Sequence, residues 1–146
     1  MNRYDINDFV ILITGAAGQL GQATVNTAIK SGAKLVCIDL CLDALNEVSQ
    51  KNGWGDNVVL CSADIQNAED IRAAISLGLE RFGVIDALIN NAGVSVFSPW
   101  QERTEKDFDW VSGVNLKGTF LCIKEYLNYL IKTGHRGSIV NVASFY

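Results

Sequence analysis

The apolar run Phe9-Val10-Ile11-Leu12-Ile13 passes directly into Thr14-Gly15-Ala16-Ala17-Gly18-Gln19-Leu20-Gly21 and then into a helix-like stretch. A buried strand, a glycine turn and a helix in that order form the setting a dinucleotide phosphate needs. Glycine lets the backbone turn tightly and lets a pyrophosphate approach without a Cβ in its path. The helix that follows offers unpaired N–H groups and the positive end of its dipole. Gly15, Gly18, Gln19, Leu20 and Gly21 are therefore the candidate phosphate-binding residues. A glycine triplet is weak evidence by itself. Its weight comes from Asp39, Asp64 and Asn90-Asn91-Ala92-Gly93, which follow in the order a nucleotide-binding sheet would present them.

The rest of the chain alternates in the same way. Continuous apolar strands are expected at Phe9–Ile13, Lys34–Ile38, Val58–Cys61, Ile85–Asn90 and Ser138–Val142. Runs of this kind suit parallel strands covered on both faces. Between them, Ile71, Ala74, Ile75, Gly78, Leu79 and Phe82 make one amphipathic stripe. Phe120, Ile123, Leu127, Leu130 and Ile131 make another, with Gly134 as its stop. A helix after Pro99 opens on Thr104-x-x-Asp107, a capping pattern with Asp in place of the usual Glu or Gln. Repeated strand–helix units with right-handed crossovers predict a doubly wound parallel α/β sheet of order 3-2-1-4-5. Its ligand should lie at the carboxyl ends of the strands.

At 146 residues the chain is expected to be one domain, 1–146, able to hide about 68–70% of its extended surface. The net charge is −4, from 12 basic and 16 acidic residues, with no basic cluster. Nucleic acid and anionic membrane are therefore not expected as partners. No apolar run approaches the roughly 18 residues that span a bilayer, and Met1-Asn2-Arg3-Tyr4-Asp5 has no secretory h-region. Cys37, Cys41, Cys61 and Cys122 lack C-x-x-C spacing and are expected as reduced core residues of a cytoplasmic protein. No metal site is expected. His135 has no cluster around it and reads as a solvated loop residue. Trp54 reads as a loop anchor, and Trp100 and Trp110 as packing residues.

Each candidate residue has two readings. Asp39, with Leu40 after it, ends the second strand; its carboxylate could accept both ribose hydroxyls, or it could cap the helix starting near Cys41. A carboxylate there repels a 2′-phosphate, so NAD is favoured over NADP. Asp64, next to Ile65, could accept from an adenine amino group or could simply make a turn. Asn91, Ala92 and Gly93 could leave room for a ribose or form a strand-end turn.

Taken together, the glycine loop, Asp39, Asp64, Asn90-Asn91-Ala92-Gly93, Asn115 in Val114-Asn115-Leu116-Lys117-Gly118 and Ser144 in Asn141-Val142-Ala143-Ser144 resemble the short-chain dehydrogenase/reductase family. The resemblance spans nearly the whole chain. It implies a Rossmann-type fold and an NAD(P)-dependent oxidoreductase acting on a small-molecule alcohol or carbonyl. Asn115 would hold a water that helps position a catalytic lysine, and Ser144 would hydrogen-bond the substrate oxygen. Asn91, Ala92 and Gly93 would line the adenosine side and brace the central strand. The full-length form would be a homo-oligomer, associating through the helix expected at Gly118–Lys132.

Two departures qualify this picture. Gly15, Gly18 and Gly21 sit three apart, with Gln19 where many simple dehydrogenases have glycine. That spacing is more like the family's nucleotide-sugar epimerases and dehydratases. The family's tyrosine-x-x-x-lysine pair is also missing. Tyr146 is too close to Ser144 to serve, and Tyr126 and Tyr129, on a helix, read as surface or interface residues. Ile139-Val140-Asn141-Val142 would be a bare sheet edge. The chain is therefore read as the N-terminal part of a longer enzyme, inactive alone, with a non-catalytic NAD-binding module as the alternative.

Overall fold

The computed structural model describes residues 5–144; Met1–Tyr4, Phe145 and Tyr146 lie outside them. The strands are β1 (Val10–Thr14), β2 (Lys34–Asp39), β3 (Val58–Ser62), β4 (Ala87–Asn90) and β5 (Ser138–Asn141). They form one parallel sheet in the order β3-β2-β1-β4-β5, the order expected from the sequence. The helices are α1 (Gln19–Lys30), α2 (Leu42–Asn52), α3 (Ala68–Phe82), α4 (Glu105–Ser112) and α5 (Thr119–Thr133). None is long and apolar enough to cross a membrane.

The continuous apolar strands have the expected cause. Every residue of β1 is buried. Val10 and Leu12 face one core with Ile38, Ile71, Ile75 and Leu88. Ile11 and Ile13 face a second core with Val25, Leu35, Leu45 and Trp54. A strand with a core on each face has no side left for polar residues. Each fully buried Ile or Leu contributes about 1.5–3 kcal/mol of transfer free energy.

Capping follows local chemistry. Asn67 caps α3 by accepting from the Glu69 N–H at 3.0 Å. Thr104 and Asp107 form the reciprocal capping box of α4, after a 3₁₀ turn at Trp100–Glu102. Trp54 is buried and donates its indole N–H to Asn26 Oδ1 at 2.7 Å, so it does anchor its loop.

Three expectations fail in the fold. The buried face of α5 is Cys122, Glu125, Tyr126 and Tyr129, while Phe120, Leu127 and Ile131 are exposed. α5 has two apolar stripes, and periodicity alone does not say which one meets the sheet. Tyr126 and Tyr129 are thus core residues. Tyr126 donates to the Ile85 carbonyl and Tyr129 accepts from the Ile85 N–H, both at 3.2 Å. His135 is also not simply solvated, because its Nε2 lies 3.0 Å from Asp86 Oδ1. The other Asp86 oxygen accepts from the Val10 N–H, so one carboxylate ties the start of β1 to the turn before β5. Cys41, finally, is exposed rather than part of the core.

Candidate functional site

The parallel register brings the carboxyl ends of the strands to one edge. Asp39 is opposite Ser62 at the ends of β2 and β3, and Asn90 is opposite Asn141 at the ends of β4 and β5. A cavity of about 620 Å³ opens at this edge. Gly15, Gly18, Gln19, Leu20, Gly21, Asp39, Leu40, Asp64, Ile65, Asn91, Ala92 and Gly93 all line it, so one crevice gathers every residue singled out for a cofactor. Asn115 and Ser144 lie outside its lining.

The loop between β1 and α1 is built by close approach. Gly15 has φ +67°, a conformation that disfavours side chains, and a Cβ there would come within 2.8 Å of Ala92 Cα. A Cβ on Gly21 would run into the Gly15 carbonyl oxygen. α1 starts at Gln19 with no side-chain cap and no acidic residue in its first turn. Its leading N–H groups and dipole therefore face the cavity uncompensated, a ready anion site.

Asp39 holds this loop in place. Its Oδ2 accepts from the Ala17 N–H at 3.0 Å and its Oδ1 from the Leu40 N–H at 2.8 Å. The cap of α2 is Cys41, so the N-cap reading of Asp39 does not hold. A carboxylate has about four lone-pair sites, which leaves capacity on each oxygen for a hydroxyl donor. Asp64 makes the expected turn, its Oδ1 accepting from the Gln66 N–H at 2.9 Å, while its own N–H donates to Asp70 Oδ2. Asp39 and Asp64 are the charged residues among those lining the cavity, and no Lys or Arg is among them.

Across the cavity, Thr14 is a hub whose role the sequence did not disclose. Its hydroxyl accepts from the N–H groups of Asn91 at 3.1 Å and Ala92 at 3.0 Å. The Asn91 side-chain amide donates to the carbonyls of Thr14 and Gly15. Asn90 donates to Asn141 Oδ1 at 2.8 Å, while its own buried Oδ1 has no hydrogen-bond partner among the described residues. The paired asparagines thus bind β4 to β1 on one side and to β5 on the other.

A π-helical turn, Gly113–Gly118, joins α4 to α5 and contains Asn115. The Asn115 Oδ1 accepts from the Val94 N–H at 2.8 Å, and its Nδ2 donates to the Val94 carbonyl at 2.9 Å. Its side chain is thus spent on backbone, and its own carbonyl accepts from Thr119 Oγ1 at 2.9 Å. Ser144 is exposed, three residues past the end of β5. Ala17, Gln66, Val94, Trp110 and Val114 also line the cavity. Ala17 and Val114 lie within motifs the sequence marked, whereas nothing in the sequence pointed to Gln66, Val94 or Trp110 as lining residues.

A five-stranded parallel sheet with an uncapped helix N-terminus and a carboxylate at the end of its second strand defines a Rossmann-type nucleotide-binding domain. The family model described as short chain dehydrogenase matches residues 9–146, and the chain belongs to that family. An uncharacterized oxidoreductase of Staphylococcus saprophyticus is 36% identical over 96% of this chain and 56% of its own length. A 3-ketoacyl-(acyl-carrier-protein) reductase from Brucella melitensis, crystallised with NADH, superposes with a TM-score of 0.85 at 31% identity, over 95% of this chain and 58% of that one. A short-chain dehydrogenase/reductase from Burkholderia phymatum, in complex with NAD, superposes at 0.87 and 30% identity, over 97% and 50%. The chain therefore spans about half the length of the relatives it matches.

Proposed function

We propose that this chain is the cofactor-binding part of an oxidoreductase that uses NAD in preference to NADP and interconverts an alcohol and a carbonyl. The observation that carries the reading is Asp39, placed between the glycine loop and the rest of the cavity. Gln19, Leu20 and Gly21 would take the pyrophosphate on backbone N–H groups. Asp39 would accept the adenosine ribose hydroxyls, and with no cation among the lining residues a 2′-phosphate would meet uncompensated negative charge. Asp64 and Ile65 would border the adenine, and Asn91, Ala92 and Gly93 the ribose. The bound nicotinamide supplies hydride chemistry.

In the alcohol–carbonyl step, Ser144 would hydrogen-bond the substrate oxygen. Asn115 would act as a positioning residue, fixing the Val94 backbone beside the cofactor. Proton transfer, worth about 10²–10⁴-fold in rate, would fall to the tyrosine–lysine pair that the family resemblance implies. The four unpaired cysteines fit a reducing, cytoplasmic setting. One observation favours a nucleotide-sugar epimerase or dehydratase instead, namely the Gly15/Gly18/Gly21 spacing; cofactor retained through purification would support that reading.

The test is titration with NADH and NADPH, read by fluorescence. NADH should bind at least about tenfold more tightly than NADPH, because a hydrogen bond to a charged group is worth about 1.5–3 kcal/mol. Asp39→Ala should weaken NADH by about ten- to a hundredfold. An unchanged NADH affinity in that variant would remove the ribose assignment. Failure of wild type to bind either nucleotide would remove the function.

A further inference from the structure

Exposed apolar side chains gathered along one cavity, rather than scattered singly over a surface, mark a ligand-binding groove. Leu40 is 70% exposed and Trp110 is 47% exposed, and both line the cavity that holds Asp39 and Asp64. Trp110 lies on α4 one turn before Val114, which lines the same cavity, so the two share a helix face. Leu20, likewise exposed, lines the same cavity, whereas the exposed Leu116 and Phe120 border a separate groove with Asp109, Ser112, Gly113 and Lys117. Trp110 is not part of that groove.

The position of α4 relative to the Asp64 turn is fixed by tight packing. A Cβ on Gly113 would strike Gln66 Oε1, so the Gln66 side chain lies directly over that glycine. A Cβ on Gly118 would come within 2.7 Å of Ile65 Cδ1. The turn Asp64-Ile65-Gln66 is therefore seated in notches at both ends of the π-helical turn. Trp110, one helical turn before Val114, lines the cavity together with Asp64, Ile65 and Gln66. Its ring makes no hydrogen bond, ion pair or aromatic contact among the described residues.

We propose that Trp110 is an aromatic wall for the adenine ring, determining how tightly the nucleotide's purine end is held; this rests on the dinucleotide-binding reading given above. A flat, uncharged heteroaromatic ring gains both apolar contact and stacking from an indole face. The carboxylates of Asp39 and Asp64 then read the ribose hydroxyls and the exocyclic amine around it. An indole stack is indifferent to the nicotinamide end, so it acts on adenine-bearing ligands alone.

The experiment uses the protein at its natural length and measures dissociation constants for NADH, AMP and reduced nicotinamide mononucleotide in wild type, Trp110→Ala and Trp110→Phe. Alanine should weaken NADH and AMP by similar factors of about tenfold, the scale of one base–aromatic stack. It should leave the mononucleotide unchanged, and phenylalanine should recover most of the loss. AMP should also quench wild-type tryptophan fluorescence, and the quench should vanish in Trp110→Phe. That readout holds even if the alanine variant folds poorly. NADH and AMP affinities unchanged in Trp110→Ala, with a shift in oligomeric state, would overturn the proposal in favour of a subunit contact. Wild type that binds neither NADH nor AMP would overturn the dinucleotide reading, and this inference with it.

Discussion

Thr14 holds two strands together with one oxygen. Two half-buried amides, those of Asn91 and Ala92, depend on its hydroxyl. Thr14→Val keeps the shape and removes the acceptor, leaving both donors without a partner at a cost of about 1–3 kcal/mol for each group left unpaired. Urea denaturation should show that loss, and Thr14→Ser should recover most of it. If valine is as stable as wild type, the hub assignment is wrong. The sequence placed Thr14 in the glycine loop but held no sign of this role, because the amides it serves lie 77 and 78 positions away. The role of His135 is hidden for the same reason, since its carboxylate partner is 49 positions distant. Local pattern identifies residues whose chemistry is fixed by their neighbours, such as the Thr104–Asp107 cap. It does not identify partners that only the fold brings together.

Among the elements, β4 is gripped from both ends by the same helical column. Tyr126 and Tyr129 on α5 engage the two backbone groups of Ile85, and Asn115 in the π-helical turn engages both backbone groups of Val94. Tyr129→Phe strands a buried N–H and should cost about 1–3 kcal/mol in chemical denaturation, with little change in the far-ultraviolet spectrum. An unaffected midpoint would mean that water or a shifted backbone satisfies Ile85. The five strands were legible because cores on both faces force continuous apolar runs, and α3 because it has one apolar stripe. The face of α5 was not legible, since Phe120-Ile123-Leu127 and Cys122-Tyr126-Tyr129 both repeat at helical spacing. The π-helical turn left no trace in the periodicity.

For the whole molecule, pH acts through groups held neutral in the core. Burial pushes the Cys122 thiol up to about 12, and it raises Cys37 further. Tyr126 is raised by burial first, then by the neighbouring Tyr129 and Asp86. The unfolded chain ionises such groups earlier than the folded one. Their contribution is therefore complete below the ordinary cysteine value near pH 8.5 and is lost as the pH rises through the folded values. Melting temperature should hold up to about pH 8.5 and fall above it, and Cys122→Ala should flatten part of the alkaline fall. A wild-type melting temperature independent of pH from 8.5 to 11 would sink this account.

The strand order has a thermodynamic consequence. One wall of the cavity belongs to the β1–β3 half of the sheet, and the other to β4 and the chain beyond it. The two halves meet at β1 and β4, through contacts as distant in sequence as the 78 positions between Thr14 and Ala92. Without those contacts the two walls of the cavity are not brought together. A ligand of this crevice therefore selects chains that have completed their longest-range pairing. It stabilises them by RT ln(1 + [L]/Kd), so filling the crevice and completing the sheet are thermodynamically linked.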